Sequence, residues 1–65
     1  MKICKYCNSV MISEYETNRN DSHRFFGFHV CPKCRAVFEE DVTEKNSKRI
    51  IHMERWFNPS TKQFE

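Results

Sequence analysis

Two stretches of this 65-residue chain alternate apolar and polar side chains with the period of two expected of a strand. In residues 10–17, Val10, Ile12 and Glu14 fall on one side and Met11, Ser13 and Tyr15 on the other. In residues 24–30, Phe26, Phe28 and Val30 share one face and Phe25, Gly27 and His29 the other. The intervening Asn18-Arg19-Asn20-Asp21-Ser22 is rich in residues whose side chains bond their own backbone in turns. The pair therefore reads as a β-hairpin. Arg35-Ala36-Val37-Phe38-Glu39-Glu40 predicts a third strand.

The last third fits two patterns. Lys48 to Phe57 suits a helix, with Ile50, Met53 and Phe57 at i, i+3 and i+7. It also suits a strand, with Ile51, Met53 and Phe57 on one face and Ile50 and Trp56 on the other. Adjacent β-branched and aromatic residues favour the strand. Glu44-Lys45-Asn46-Ser47 and Asn58-Pro59-Ser60-Thr61 read as turns at its ends, and Pro59 stops either element.

Only 38% of the residues are hydrophobic and the mean hydropathy is −0.80. A chain this short and polar buries too little surface to fold comfortably by packing alone. Six phenylalanines must supply most of the core. The expected staple is Cys4-Lys5-Tyr6-Cys7 together with Cys31-Pro32-Lys33-Cys34, two C-x2-C turns that can aim four thiolates at one tetrahedral Zn²⁺. Iron, a disulfide pair and redox-active thiols are the alternatives. Met1-Lys2-Ile3 runs straight into the first pair, so no leader and no membrane span are expected, and a cytoplasmic, reducing setting favours metal. Such turns commonly carry glycine after the second cysteine. Asn8 and Arg35 stand there instead, and strain or an altered turn is expected at Arg35.

The fold class that follows is a small metal-stabilised β domain: a Cys4 ribbon of three antiparallel strands plus a C-terminal strand or helix. It forms one domain over residues 1–65, with a ribbon core at 3–41 and an extension at 44–65. The formal charge is +2, and four thiolates with one Zn²⁺ bring the loaded protein to about zero. Net charge therefore gives nucleic-acid binding no support, and such affinity needs a local patch.

The spacing Cys4-x2-Cys7-x23-Cys31-x2-Cys34 around a hairpin resembles zinc ribbons, in particular those of transcription elongation factor S and of small RNA-polymerase subunits, over residues 4–40. Phe25, Phe26 and Phe38 sit where such ribbons carry core aromatics. The resemblance implies one structural zinc and docking on RNA polymerase or an associated factor. Elongation factor S carries an Asp-Glu pair at its hairpin tip. The corresponding Arg19-Asn20-Asp21-Ser22 has one carboxylate, a weak Mg²⁺ site, so transcript cleavage does not carry over.

Three further groups are candidates. Arg19, Arg24, Phe25 and Lys33, with His23, could hold single-stranded nucleic acid through cations and a stacking ring, unless the ring is core and the cations a solvated face. Trp56 and Phe57, below Lys48 and Arg49, suit protein binding or a homodimer through residues 48–64, unless Trp56 caps the core. His23, His29 and His52 are expected at the surface or core edge, and no catalytic arrangement is readable from spacing. The expected function is a non-enzymatic zinc-ribbon module binding the transcription machinery or nucleic acid. The alternatives are a small protein-binding adaptor or inhibitor, anti-sigma-like or phage-like, and an electron-transfer protein.

Overall fold

The alternating runs become one antiparallel sheet in a computed structural model that describes residues 1–65. Its strands lie in sequence order: β1 (Ile12–Thr17), β2 (Arg24–Val30), β3 (Val37–Lys45), β4 (Lys48–Asn58) and β5 (Gln63–Phe64). There is no helix, so the ambiguous last third resolves as strand. β3 starts two residues later than expected and runs on to Lys45, so the boundary expected at 41–44 falls inside a strand.

Local chemistry sets the turns. Asn46 and Ser47 both have positive φ, 53° and 63°, between the paired Lys45 and Lys48. A two-residue turn of that kind matches the twist of the flanking strands, and Asn tolerates the conformation best after glycine. Between Asp41 and Val42 the β3–β4 register shifts, leaving His52 as an extra residue on β4. At this end of the sheet the β1–β2 and β3–β4 turns meet, where the Glu44 amide donates to the His23 carbonyl at 2.9 Å. Both cysteine turns and the β4–β5 turn lie at the other end.

Register assigns the two faces. His29 pairs with Ser13 and Phe38, Gly27 with Tyr15 and Glu40, and Phe38 with Trp56, which places all of them on the inner face. The core is Cys4, Met11, Cys31, Ala36 and Phe38, with Tyr6, Cys34 and Trp56 packed against it. Trp56 lies 4.8 Å from Phe38 and meets Tyr6 edge-on at 5.8 Å, so it caps the core. Lys2 Nζ sits 3.9 Å over the Phe38 ring, a cation closing the apolar cluster from above.

The phenylalanine expectation fails. Only Phe38 is buried, while Phe28 and Phe64 are 38% and 47% exposed. The reason is the single layer: Phe26 and Phe28 point to the outer face, which nothing covers. His29 also departs from expectation, because it is 1% exposed and ranks among the most buried side chains.

Gly27 is the chain's one glycine, and it makes room for Glu40. A Cβ there would stand 2.8 Å from Glu40 Cγ, while Glu40 is held across β2 by its bond to His29. Gly27→Ala should therefore destabilise the metal-loaded protein by about 1–3 kcal/mol in denaturant melts. A neutral substitution would show that Glu40 is free to move.

Candidate metal centre

The two cysteine turns are built alike. In the first, the Asn8 amide donates to the Cys4 carbonyl at 2.9 Å and the Cys4 amide to the Ser9 carbonyl at 2.9 Å. In the second, Arg35 donates to Cys31 at 3.0 Å and Cys31 to Ala36 at 2.8 Å. Both turns close only if the residue after the second cysteine adopts the left-handed region. Asn8 has φ 62° and Arg35 φ 67°, so Arg35 keeps the ordinary turn and takes the strained conformation expected there, with no alteration of the turn. The flanks repeat as well: Ile3 bridges Val10 as Val30 pairs with Val37.

These turns bring the four Sγ atoms within 4.8 Å of one another, with Cys4–Cys34 at 3.5 Å and Cys7–Cys31 at 3.4 Å. A tetrahedron with metal–sulfur bonds of about 2.3 Å has edges of about 3.8 Å. The cluster brackets that value and fits one ion. All four cysteines are free thiols, and their closest approaches far exceed a disulfide bond. The four side chains can thus hold one metal ion, the arrangement of a zinc-ribbon-like motif.

Electrostatics favours the same conclusion. The Ser9 hydroxyl and amide pull Cys7 down to about 6. Amides of Cys34 and Lys33 lower Cys31 against the cost of its burial. The Ala36 amide pulls on Cys34, yet burial and the neighbouring sulfurs push it up to about 12. Amides thus aim at sulfur, but four negative charges cannot share this space alone. A divalent cation removes the repulsion.

A second polar cluster, unexpected from the sequence, crosses four strands of the inner face. Ser13 Oγ lies 2.6 Å from His29 Nδ1, and His29 Nε2 lies 2.7 Å from Glu40 Oε2. Arg49 then donates to Glu40 at 2.5 Å and to Glu44 at 2.6 Å. No buried side-chain polar atom is left without a partner. The signals that could have found it are a carboxylate at an inward position between Phe38 and Val42, and the lone glycine opposite it.

The proposed nucleic-acid residues are not gathered on one surface. Arg19 is exposed in the β1–β2 turn, while Lys33 is exposed on the second cysteine turn at the far end of β2. A seven-residue strand sets them about 20 Å or more apart. Arg24 is clamped by Asp41, with Nε to Oδ1 at 2.9 Å and an Nη to Oδ2 at 2.7 Å. Phe25 is half-buried, edge-on to Tyr15 at 5.6 Å. Of the proposed protein-binding pair, Trp56 caps the core and Phe57 packs on Phe64 at 5.2 Å. No helix is long and apolar enough to cross a membrane.

Two outcomes follow. Cys31 is fully buried and Cys7 exposed, so Cys31→Ser should weaken metal binding more than Cys7→Ser. Both should exceed the roughly 10–100-fold typical of losing an outer-shell partner; competition titration against a chelator reads this, and unchanged affinity would refute the site. Arg24's paired bonds hold the Asp41 carboxyl below its usual range, against the opposing effect of burial. The unfolded chain then takes up this proton first, so the pair stabilises above about pH 4 and ceases to do so as pH falls through the native value. The penalty of Asp41→Asn should accordingly be full at pH 7 in the metal-loaded protein and shrink strongly in an Arg24→Gln background, and an equal penalty in both backgrounds would contradict the pairing.

No protein-family model, no curated protein and no solved structure matches this chain.

Proposed function

We propose that this chain is a non-enzymatic zinc-binding module that docks, through protein contacts, on the transcription machinery or one of its regulators. The carrying observation is the closed cluster of Cys4, Cys7, Cys31 and Cys34. Four thiolates in a tetrahedron suit Zn²⁺, which has no geometric demand of its own and favours soft donors. Protein groups fill every position, so the ion has none left for an activated water and serves the fold. The spacing shared with polymerase-associated ribbons supports the choice of partner, and the uncovered outer face supports docking as the mode of action.

One observation favours a second reading. Lys45 and Lys48 are directly opposite across the β3–β4 turn, beside His23, in an open hollow of about 340 Å³. Like charges facing each other across strands destabilise a hairpin, and none of the ion pairs reaches either lysine. Phosphate would relieve that repulsion, so this tip, with Arg19, is the surface for nucleic acid if the chain binds it.

Affinity capture from native extract with the zinc-loaded protein, run with and without nuclease, separates the two. Polymerase subunits or a transcription factor retained after nuclease is the expected result. Capture that disappears with nuclease and with Lys45→Glu/Lys48→Glu would overturn it in favour of the tip.

A further inference from the structure

β1 is an open edge. It pairs only with β2, and all six of its residues are exposed. Natural edges are blunted by lysine, proline or a bulge. β4, the other long strand with an open side, has such devices: the extra residue His52, with Lys48 and Arg49 at its start. β1 has no lysine, proline or bulge and reads Ile-Ser-Glu-Tyr-Glu-Thr in regular register along its whole length; its only guard is the negative charge of Glu14 and Glu16, which repels an acidic strand and admits a basic one.

The free backbone groups can be assigned. The Asn18 amide donates to the Arg24 carbonyl at 2.9 Å. Bonded pairs recur every second residue in an antiparallel ladder, so Glu16 and Glu14 also bond toward β2. Ser13, Tyr15 and Thr17 therefore turn their N–H and C=O groups outward. They form a ready template for one more strand.

Charge chooses the occupant. Glu14 and Glu16 stand on the outer face, and none of the ion pairs engages either of them. A two-fold axis normal to the sheet pairs only residues of the same face. The two registers that centre β1 on a second copy of itself put Glu14 against Glu14, or Glu14 against Glu16. Self-pairing is thus repulsive. A hollow of about 360 Å³ lies beside these carboxylates, lined by Tyr15, Phe26 and Phe28, and suits the apolar stem of a long cationic side chain. The molecule also exposes 4987 Å² where a compact monomer of its mass exposes about 4,400 Å². The surplus is comparable to one side of a standard interface.

We infer that the β1 edge is a strand-addition site for an extended basic segment of a partner protein. That segment has Lys or Arg at alternate positions, facing Glu14 and Glu16, and β-branched or aromatic residues between them, beside Tyr15. The inference deepens the protein-docking reading and rests on it.

The probe is a labelled peptide, acetyl-Thr-Lys-Val-Lys-Val-Lys-Thr-amide, titrated into the zinc-loaded full chain by fluorescence anisotropy. The control has the same composition with its lysines contiguous. The alternating peptide should bind at least about tenfold tighter, because only it places every cation on the acidic face. Its amide perturbations should centre on Ser13, Tyr15 and Thr17. Glu14→Lys/Glu16→Lys should abolish the preference, and Thr17→Pro, which removes one outward N–H, should weaken binding while the protein keeps its zinc. Equal affinity for both peptides, or variants that bind as the parent does, would overturn the inference. So would a dimer in sedimentation that Thr17→Pro dissolves, since a second copy would then cover the edge. Partner capture that survives nuclease in the Glu→Lys variant would leave the docking reading standing and the β1 edge refuted.

Discussion

Four sulfurs from two turns, separated by the whole first hairpin, meet within 4.8 Å of one another, where they can hold one metal ion, and the rest of the molecule is arranged around that cluster. Each thiolate left beside three others without a cation raises the free energy through charge repulsion. With the ion in place, the same sulfurs tie the segment before β1 to the β2–β3 connection. The apolar core is a skin over this clamp: Met11, Ala36 and Phe38, capped by Trp56 and Tyr6. Nothing of that size holds a 65-residue chain by itself. Structural zinc supplies about 10–16 kcal/mol of apparent binding energy in comparable small domains.

Away from the clamp the sheet is held by polar groups. The Ser13–His29–Glu40–Arg49 cluster replaces a hydrophobic centre with a chain of hydrogen bonds spanning four strands. Groups of this kind fix register, since a slip of one residue would leave Glu40 buried without His29. The bidentate Arg24–Asp41 pair and the Arg55–Glu39 pair do related work on the outer face. One face thus carries the small core with its cysteines and the ordered network. The other shows Phe26 and Phe28, with the carboxylates of Glu14 and Glu16 at an open edge.

Much of this was legible in the residues. Alternation around Ile12–Thr17 and Arg24–Val30 set both strands, and the β-branched and aromatic run at Ile50-Ile51 and Trp56-Phe57 correctly favoured strand over helix. The cysteine spacing located the cluster, and the missing glycine after Cys34 marked Arg35 as a strained position, which its positive φ makes it. What stayed hidden depended on which face was inward. Composition made the phenylalanines the core. Register instead buried His29 and Glu40 and left Phe28 outside, because a single-layer sheet has only one side to bury. The clamp of Arg24 by Asp41 and the edge-on packing of Phe25 on Tyr15 were hidden for a related reason: neither partner is close in sequence.

The most direct test of the clamp is a Zn²⁺ titration of the reduced, metal-free chain followed by circular dichroism and near-ultraviolet tryptophan signals. The account predicts a largely unfolded chain that gains its β structure and its Trp56 packing together, in proportion to metal, with saturation at one equivalent. A metal-free chain that already shows the full sheet, or one that binds zinc with no structural change, would contradict it.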